Sequence, residues 1–214
     1  MQNLTYRFGR PGSASAILGL LILLALSPVA AADCRINPDI LGAFYQIEKQ
    51  PGPKGDTLRE TLELWRLHSE VAHVRPERSS TEIWRLGRSG EVAHSRYNDA
   101  LKLQEPVQAR DDVLWPAKYQ LLPREALDKM QRVEVSGEGC KRVEKYRLEL
   151  DSGRLTIWWN PELRLVMLLD RQGAAASTTM KLTAIEGSGP VVAKMFNSRR
   201  DYLPVDSGKP ALVH

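Results

Sequence analysis

Histidine, cysteine and phenylalanine are scarce in this chain of 214 residues, which holds four, two and three of them. So few histidines leave few bases for proton transfer and few neutral ligands for a metal ion. No G-x-S-x-G elbow, Walker A loop, H-E-x-x-H pair or dinucleotide fingerprint appears in the chain, which removes the common motif-bearing hydrolase, nucleotide and zinc-protease classes. A Ser/His/Asp triad assembled in space remains compatible with the composition, and a hydrolase is the default if the chain is an enzyme. After the first 32 residues no apolar run approaches the about 20 residues of a membrane-spanning helix, so no integral membrane protein is expected. A dominant charge is missing too. The net charge of +4 comes with only short basic clusters, such as Lys141-Arg142 and Arg199-Arg200, which are expected to be solvated surface. No nucleic-acid partner is expected, because such binding concentrates cations on one face.

What is present begins with an address. Arg7 and Arg10 precede the apolar run from Ala16 to Leu26, and Ser27-Pro28-Val29-Ala30-Ala31-Ala32 follows it with small residues. These are the three regions of a secretory leader, with cleavage near Ala32. Residues 1–32 are thus expected to be removed on export to the periplasm. The remaining 182 of the 214 residues fit a single domain, 33–214. Losing two arginines and no acid leaves 28 basic against 26 acidic side chains, so the mature chain is close to neutral.

Both cysteines, Cys34 and Cys140, lie in the exported part. In an oxidising compartment an isolated pair most simply forms one disulfide. It would close a loop of roughly 100 residues, for which chain entropy gives up to about 4 to 5 kcal/mol. Lipidation of Cys34 is disfavoured by Asp33, which stands where a lipobox wants a small residue. A redox pair would more often read C-x-x-C, and a metal site would need further ligands.

Asn37-Pro38 looks like a helix start, and Ile40, Leu41, Phe44 and Ile47 fall on one helical face, so a helix is expected there. Pro51-Gly52-Pro53-Lys54-Gly55 should end it. Leu58 to Val74 suits either a helix or a strand with one phase shift, and a long strand from about Glu60 is favoured. Glu82 to Leu86 and Val92 to Tyr97 read as a hairpin about Arg88-Ser89-Gly90-Glu91. Pro123 to Val133 reads as the best internal helix, with Leu127 and Met130 on its apolar side. Val143 to Leu150, Leu155 to Trp159, Leu163 to Asp170 and Ser177 to Glu186 form a four-stranded antiparallel meander. It turns at Asp151-Ser152-Gly153-Arg154, Asn160-Pro161-Glu162-Leu163 and Arg171-Gln172-Gly173-Ala174. From about Gly187 an irregular tail is expected. This order predicts an α+β fold.

Val143 to Leu150 alternates apolar and polar residues, as a strand with one wet face should. Leu155 to Trp159 and Leu163 to Leu169 are apolar on both faces. Both faces therefore need cover, by a helix and the tail or by a helix and a bound ligand or partner. Five tryptophans, Trp65, Trp84, Trp115, Trp158 and Trp159, are available for such surfaces. Trp158 and Trp159 must face opposite sides of their strand. His73 and His94 could meet across the first sheet, but without an identified third ligand they do not make a metal site. No cofactor is implied.

The leader, the Ile40 to Ile47 helix, the Glu82 to Tyr97 hairpin and the meander with Trp158-Trp159-Asn160-Pro161-Glu162-Leu163 together resemble the periplasmic LolA, LolB and RseB type of lipoprotein carriers and sensors. The resemblance implies an unclosed, half β-barrel covered by helices, with an apolar cavity for acyl chains. No ligand-contacting residue of that family aligns, so none is carried over. The expectation is a non-enzymatic periplasmic binding protein that holds a lipid or lipoprotein acyl chains in a concave sheet. Trp84, Trp158, Trp159, Leu165 and Met167 are its candidate lining residues. The alternative is a regulatory subunit that docks on an envelope membrane complex through its apolar sheet face, without a small ligand.

Overall fold

The computed structural model describes residues 35–52, 55–107, 115–122 and 124–205. Twelve strands form one sheet in two meanders. The first comprises β1 (Ile40–Gln50), β2 (Leu58–Leu67), β3 (Glu70–Arg75), β4 (Ser80–Leu86), β5 (Val92–Asn98) and β6 (Leu103–Val107). The second comprises β7 (Gln131–Ser136), β8 (Val143–Leu150), β9 (Gly153–Asn160), β10 (Leu165–Gly173) and β11 (Ser177–Glu186). Antiparallel pairing of β1 with β11 joins the two, and the short β12 (Leu203–Pro204) adds to β6 in parallel. The order β12-β6-β5-β4-β3-β2-β1-β11-β10-β9-β8-β7 leaves two separate edges. The fold is therefore α+β, an unclosed half-barrel with few helices, as expected. The meander of Val143 to Glu186 is present strand for strand, and so is the hairpin of Glu82 to Tyr97.

Four local expectations are corrected. Ile40 to Ile47 is not a helix but the first part of β1. Leu41, Ala43, Tyr45 and Ile47 are buried on one face of it, while Ile40 and Phe44 pack on the other. A segment apolar on both faces satisfies helical and strand periodicity at once, and hydrogen bonding to both β2 and β11 decides for the strand. Asn37 makes a turn instead, its Oδ1 accepting from the Asp39 N–H at 2.9 Å. The helix expected from Pro123 to Val133 shortens to the single turn α2 (Arg124–Leu127), because Gln131 to Ser136 pairs as β7 with β8. The tail expected to be irregular contains α3 (Gly189–Asn197), with Val192 and Phe196, one helical turn apart, buried against the sheet. Leu58 to Val74, expected as one long strand from about Glu60, is instead a hairpin of β2 and β3. His68, at φ 55°, makes its reversal, which accounts for the phase shift.

The two faces of the sheet have different covers. Between β6, beside one edge, and β7, at the other, the chain must cross nearly the full width of the sheet. If flat, those ten steps would span about 48 Å at the usual strand spacing. On this crossing lie α1 (Trp115–Gln120) and α2, whose Tyr119 and Leu127 are buried in the cores of the face they cross, here called the inner face. The outer face of β1 to β5 carries α3, over Trp65, Ala72, Val74, Ile83 and Tyr97. Gly42 is required there, since a Cβ would lie 2.6 Å from the Trp65 ring.

Candidate ligand-binding face

The inner face is built by alternation. Leu41, Ala43, Tyr45 and Ile47 of β1 point the same way, and register places Arg66, Leu64, Leu62 and Glu60 of β2 beside them. Arg66 and Glu60 carry the charges at the two ends of this β2 stretch, and of the two only Arg66 is fully buried. Its guanidinium donates to four backbone carbonyls: Tyr119 at 2.7 Å, Pro38 at 3.2 Å, Leu163 at 2.9 Å and Arg164 at 2.7 Å. It also lies 4.7 Å from the centre of the Tyr119 ring. Burial pulls its pKa down to about 10, which still leaves it cationic at neutral pH. The Tyr119 hydroxyl donates to Asp39 Oδ1 at 2.5 Å, and Arg164 bonds the same oxygen. Burial pushes the Asp39 carboxyl up, but the Tyr119 and Arg164 bonds outweigh it and hold the carboxyl below its ordinary range. One cluster thus fastens α1, the start of β1 and the β9–β10 turn to one another.

The five expected lining residues do not share one surface. Trp84 and Leu165 lie in the core under α1, with Leu41, Leu64, Val71 and Tyr119. Trp159 packs with Leu127, Ile157 and Val166 under α2. Trp158 faces the opposite side of β9, partly buried, with Lys145 Nζ 4.9 Å from its ring centre. Met167 occupies the bulge between Val166 and Leu168, where the β9–β10 register shifts. The first three are already enclosed by the protein's own side chains. His73 and His94 do not meet, because the Trp84 indole lies between them, with ring centres at 4.7 and 4.6 Å. Among the described residues no three His, Cys, Asp or Glu side chains converge in a metal-binding geometry. Cys34 lies outside the described residues, so its pairing with Cys140 stays a proposal.

The accessible part of the inner face lies further along the sheet. Register carries one row from Met180 of β11 through Leu169 of β10 and Ile157 of β9 to Tyr146 of β8. Leu155, Leu169, Met180 and Tyr146 are only partly buried, and they pack against the core under α2. A cleft of about 350 Å³ opens beside them, lined by Leu127, Tyr146 and Trp159 and by Arg124, Arg132 and Arg142. Nearly buried within this cleft, Glu144 accepts from Arg142 at 2.5 Å and from the Tyr146 hydroxyl at 2.6 Å. Under α1, the Tyr45 hydroxyl and Trp84 Nε1 have no hydrogen-bond partner among the described residues.

Sequence reasoning missed Arg66, Tyr119, Asp39 and Arg164. For Arg66 a signal existed, since Leu62, Leu64 and Arg66 alternate onto one face. A charge there needs a buried set of acceptors. For the other three no signal existed, because their meeting depends on the crossing segment.

These features define a class: an open antiparallel half-barrel whose inner face is apolar, crossed by a short helical segment and pinned by a buried arginine. No family model matches the chain, and no curated protein matches it either. Among solved structures the chain is similar to an outer membrane lipoprotein-sorting protein domain from Vibrio parahaemolyticus, at 9% identity, covering 78% of this chain and 94% of that one, with a TM-score of 0.36. It is similar to a LolA superfamily protein from Nitrosomonas europaea, at 7% identity over 74% and 90% of the two chains, with a TM-score of 0.36. A third is the MucA/MucB complex of Pseudomonas aeruginosa, at 13% identity and a TM-score of 0.35, over 73% of this chain and 56% of that one. The LolA group that the sequence resembles is thus among the similar structures. No helix of the described residues is long and apolar enough to cross a membrane.

Proposed function

We propose that this chain is a non-enzymatic binding protein of the cell envelope, working in the periplasm, whose inner face holds the apolar part of an amphiphile such as a lipid or a lipoprotein acyl chain. The observation that carries this reading is the partly buried apolar row of Leu155, Leu169, Met180 and Tyr146 beside α2. Each methylene laid along such a row contributes about 0.8 kcal/mol, less the cost of ordering the chain. Neighbouring tryptophans make the test direct. Delipidated protein should change its tryptophan emission on titration with fatty acyl ligands, and native mass spectrometry of protein from cells should find bound lipid. Failure of both measurements removes the reading.

A second reading is favoured by a separate observation. On the outer face Trp158 is only partly buried, and so is its register partner Leu168. Docking of an envelope partner here would need no small ligand. If a stoichiometric partner co-purifies, and folded Trp158→Asp loses it while lipid binding is absent, the regulatory-subunit reading replaces the first.

A further inference from the structure

The inner face changes polarity in the same direction on five neighbouring strands. Along β1 it runs Tyr45, Ile47, Lys49, and beside them, in register along β2, Leu62, Glu60, Leu58. It continues as Val71, His73, Arg75 on β3, as Trp84, Glu82, Ser80 on β4 and as His94, Arg96 on β5. Four of the five rows leave the core under α1 and end in charged or polar groups at one end of the sheet, and the β2 row passes through Glu60 before ending at the exposed Leu58. Arg78, from the connection between β3 and β4, reaches the same place. The result is a cleft of about 420 Å³ lined by Lys49, His73, Arg75, Arg78, Glu82 and Arg96, with Ser80.

Its charge is unbalanced. Glu60 alone serves three cations, Lys49 at 3.0 Å, Arg78 at 3.0 Å and Arg75 at 3.7 Å. Glu82 meets Arg96 at 3.5 Å, and Arg96 also meets Glu105 at 3.7 Å on its far side. Lys118 of α1 adds a further cation above Trp84, next to His73. His73 itself stays neutral at neutral pH, since burial lowers its pKa to about 4. Half-exposed ion pairs such as these are weak, so the cations can turn to an incoming anion at little cost. Three arginines in one cleft, Arg75, Arg78 and Arg96, suit the tetrahedral oxygens of a phosphate, which guanidinium groups bind through paired N–H bonds.

We propose that this cleft is an oxyanion site of the phosphate class at the polar end of the inner face, so that the preferred ligand is an amphiphile whose phosphate sits among Lys49, Arg75, Arg78 and Arg96. It rests on the acyl-binding reading above. The same chemistry would also accept free phosphate, and the experiment separates the two sources. Dodecyl phosphate, dodecyl maltoside and inorganic phosphate are titrated separately into the delipidated chain, by calorimetry. The same titrations follow for Arg75→Gln/Arg78→Gln, whose folding is checked by near-ultraviolet circular dichroism. Both arginines are substantially exposed, so the variant should fold.

Dodecyl phosphate should bind more tightly than dodecyl maltoside, and the double variant should weaken dodecyl phosphate about tenfold while leaving dodecyl maltoside unchanged. Binding should also fall with added salt. Inorganic phosphate that binds alone, competes with dodecyl phosphate and is lost in the variant identifies free phosphate as a ligand and keeps the site. If dodecyl phosphate has no advantage, or keeps it in the folded variant, the anion site is overturned while acyl binding stands. If only inorganic phosphate binds, the acyl reading falls and the anion site remains as a phosphate site. If nothing binds, both fall.

Discussion

Arg66→Met is the sharpest test of how the crossing segment is held. Methionine keeps an apolar stem in the row of Leu62 and Leu64 but removes the donors that bond the carbonyls of Tyr119, Pro38, Leu163 and Arg164. Bonds from a charged donor are worth about 1.5 to 3 kcal/mol each when their loss leaves a buried acceptor unmet. Against this stands the cost of burying the cation, which the variant no longer bears. Water also reaches two of the four acceptors, since the Pro38 and Arg164 bonds are only partly buried. The two carbonyls that stay buried, those of Tyr119 and Leu163, are left unmet at about 1 to 3 kcal/mol each, for a net loss of about 3 to 5 kcal/mol. At about 2 to 4 °C per kcal/mol for a domain of this size, Tm should drop by about 10 °C. Urea denaturation followed by circular dichroism measures the loss, and amide hydrogen exchange should rise first at Asp39, at the non-proline residues of 115–120 and at 163–164. Arg66→Lys should recover only part, because one ammonium cannot span four diverging carbonyls. A loss under about 1 kcal/mol in Arg66→Met, or exchange rising elsewhere first, would refute the pinning role.

His73 predicts a pH dependence. Burial, with Lys118, Arg75 and Arg66 nearby, lowers its folded pKa to about 4, so the unfolded chain binds the proton first. Stability is then fully present above about pH 6.5 and lost as pH falls toward 4, by up to about 3 kcal/mol. In His73→Gln, urea midpoints measured between pH 7 and 5 should show a shallower slope, His94 contributing what remains. Gly42→Ala should cost about 1 to 3 kcal/mol by overpacking against Trp65, and a thermal melt unchanged from the parent would contradict that contact. Cys140→Ser should lower the stability of oxidised protein by up to about 4 kcal/mol if Cys34 and Cys140 are bridged. A thiol assay finding two free thiols in the denatured, unreduced parent would exclude the bridge.

The second meander was legible because its turns carry their own chemistry. Asn160, for example, accepts from the Leu163 N–H at 2.8 Å, as an Asn before Pro at a turn should. The first strand was not legible, since Ile40 to Ile47 is apolar on both faces and only its neighbours choose between helix and strand. The short α2 failed for a related reason. Leu127 and Met130 carry helical spacing, but the pairing of Arg132 with Tyr146 and of Val135 with Glu144 draws the following residues into β7. For α3 the signal was present and unused: Ser188 before Pro190, then Val192 and Phe196 one turn apart.

The candidate site follows the same division. Tryptophans were natural first choices for a ligand surface because each ring can bury much area, yet Trp84 and Trp159 spend that area inside the protein's own core. Polar residues in apolar rows are more informative. Arg66 after Leu62 and Leu64 marks where a second layer is fastened, and Lys49 after Tyr45 and Ile47 marks where the apolar face ends. Alternation alone places each residue on its face. Only the folded sheet, which brings Lys49, Arg75 and Arg96 from three different strands around one opening, turns separate charges into a cleft. A surface assembled from one residue per strand is thus invisible to any motif search, while every row that composes it can be read from the chain.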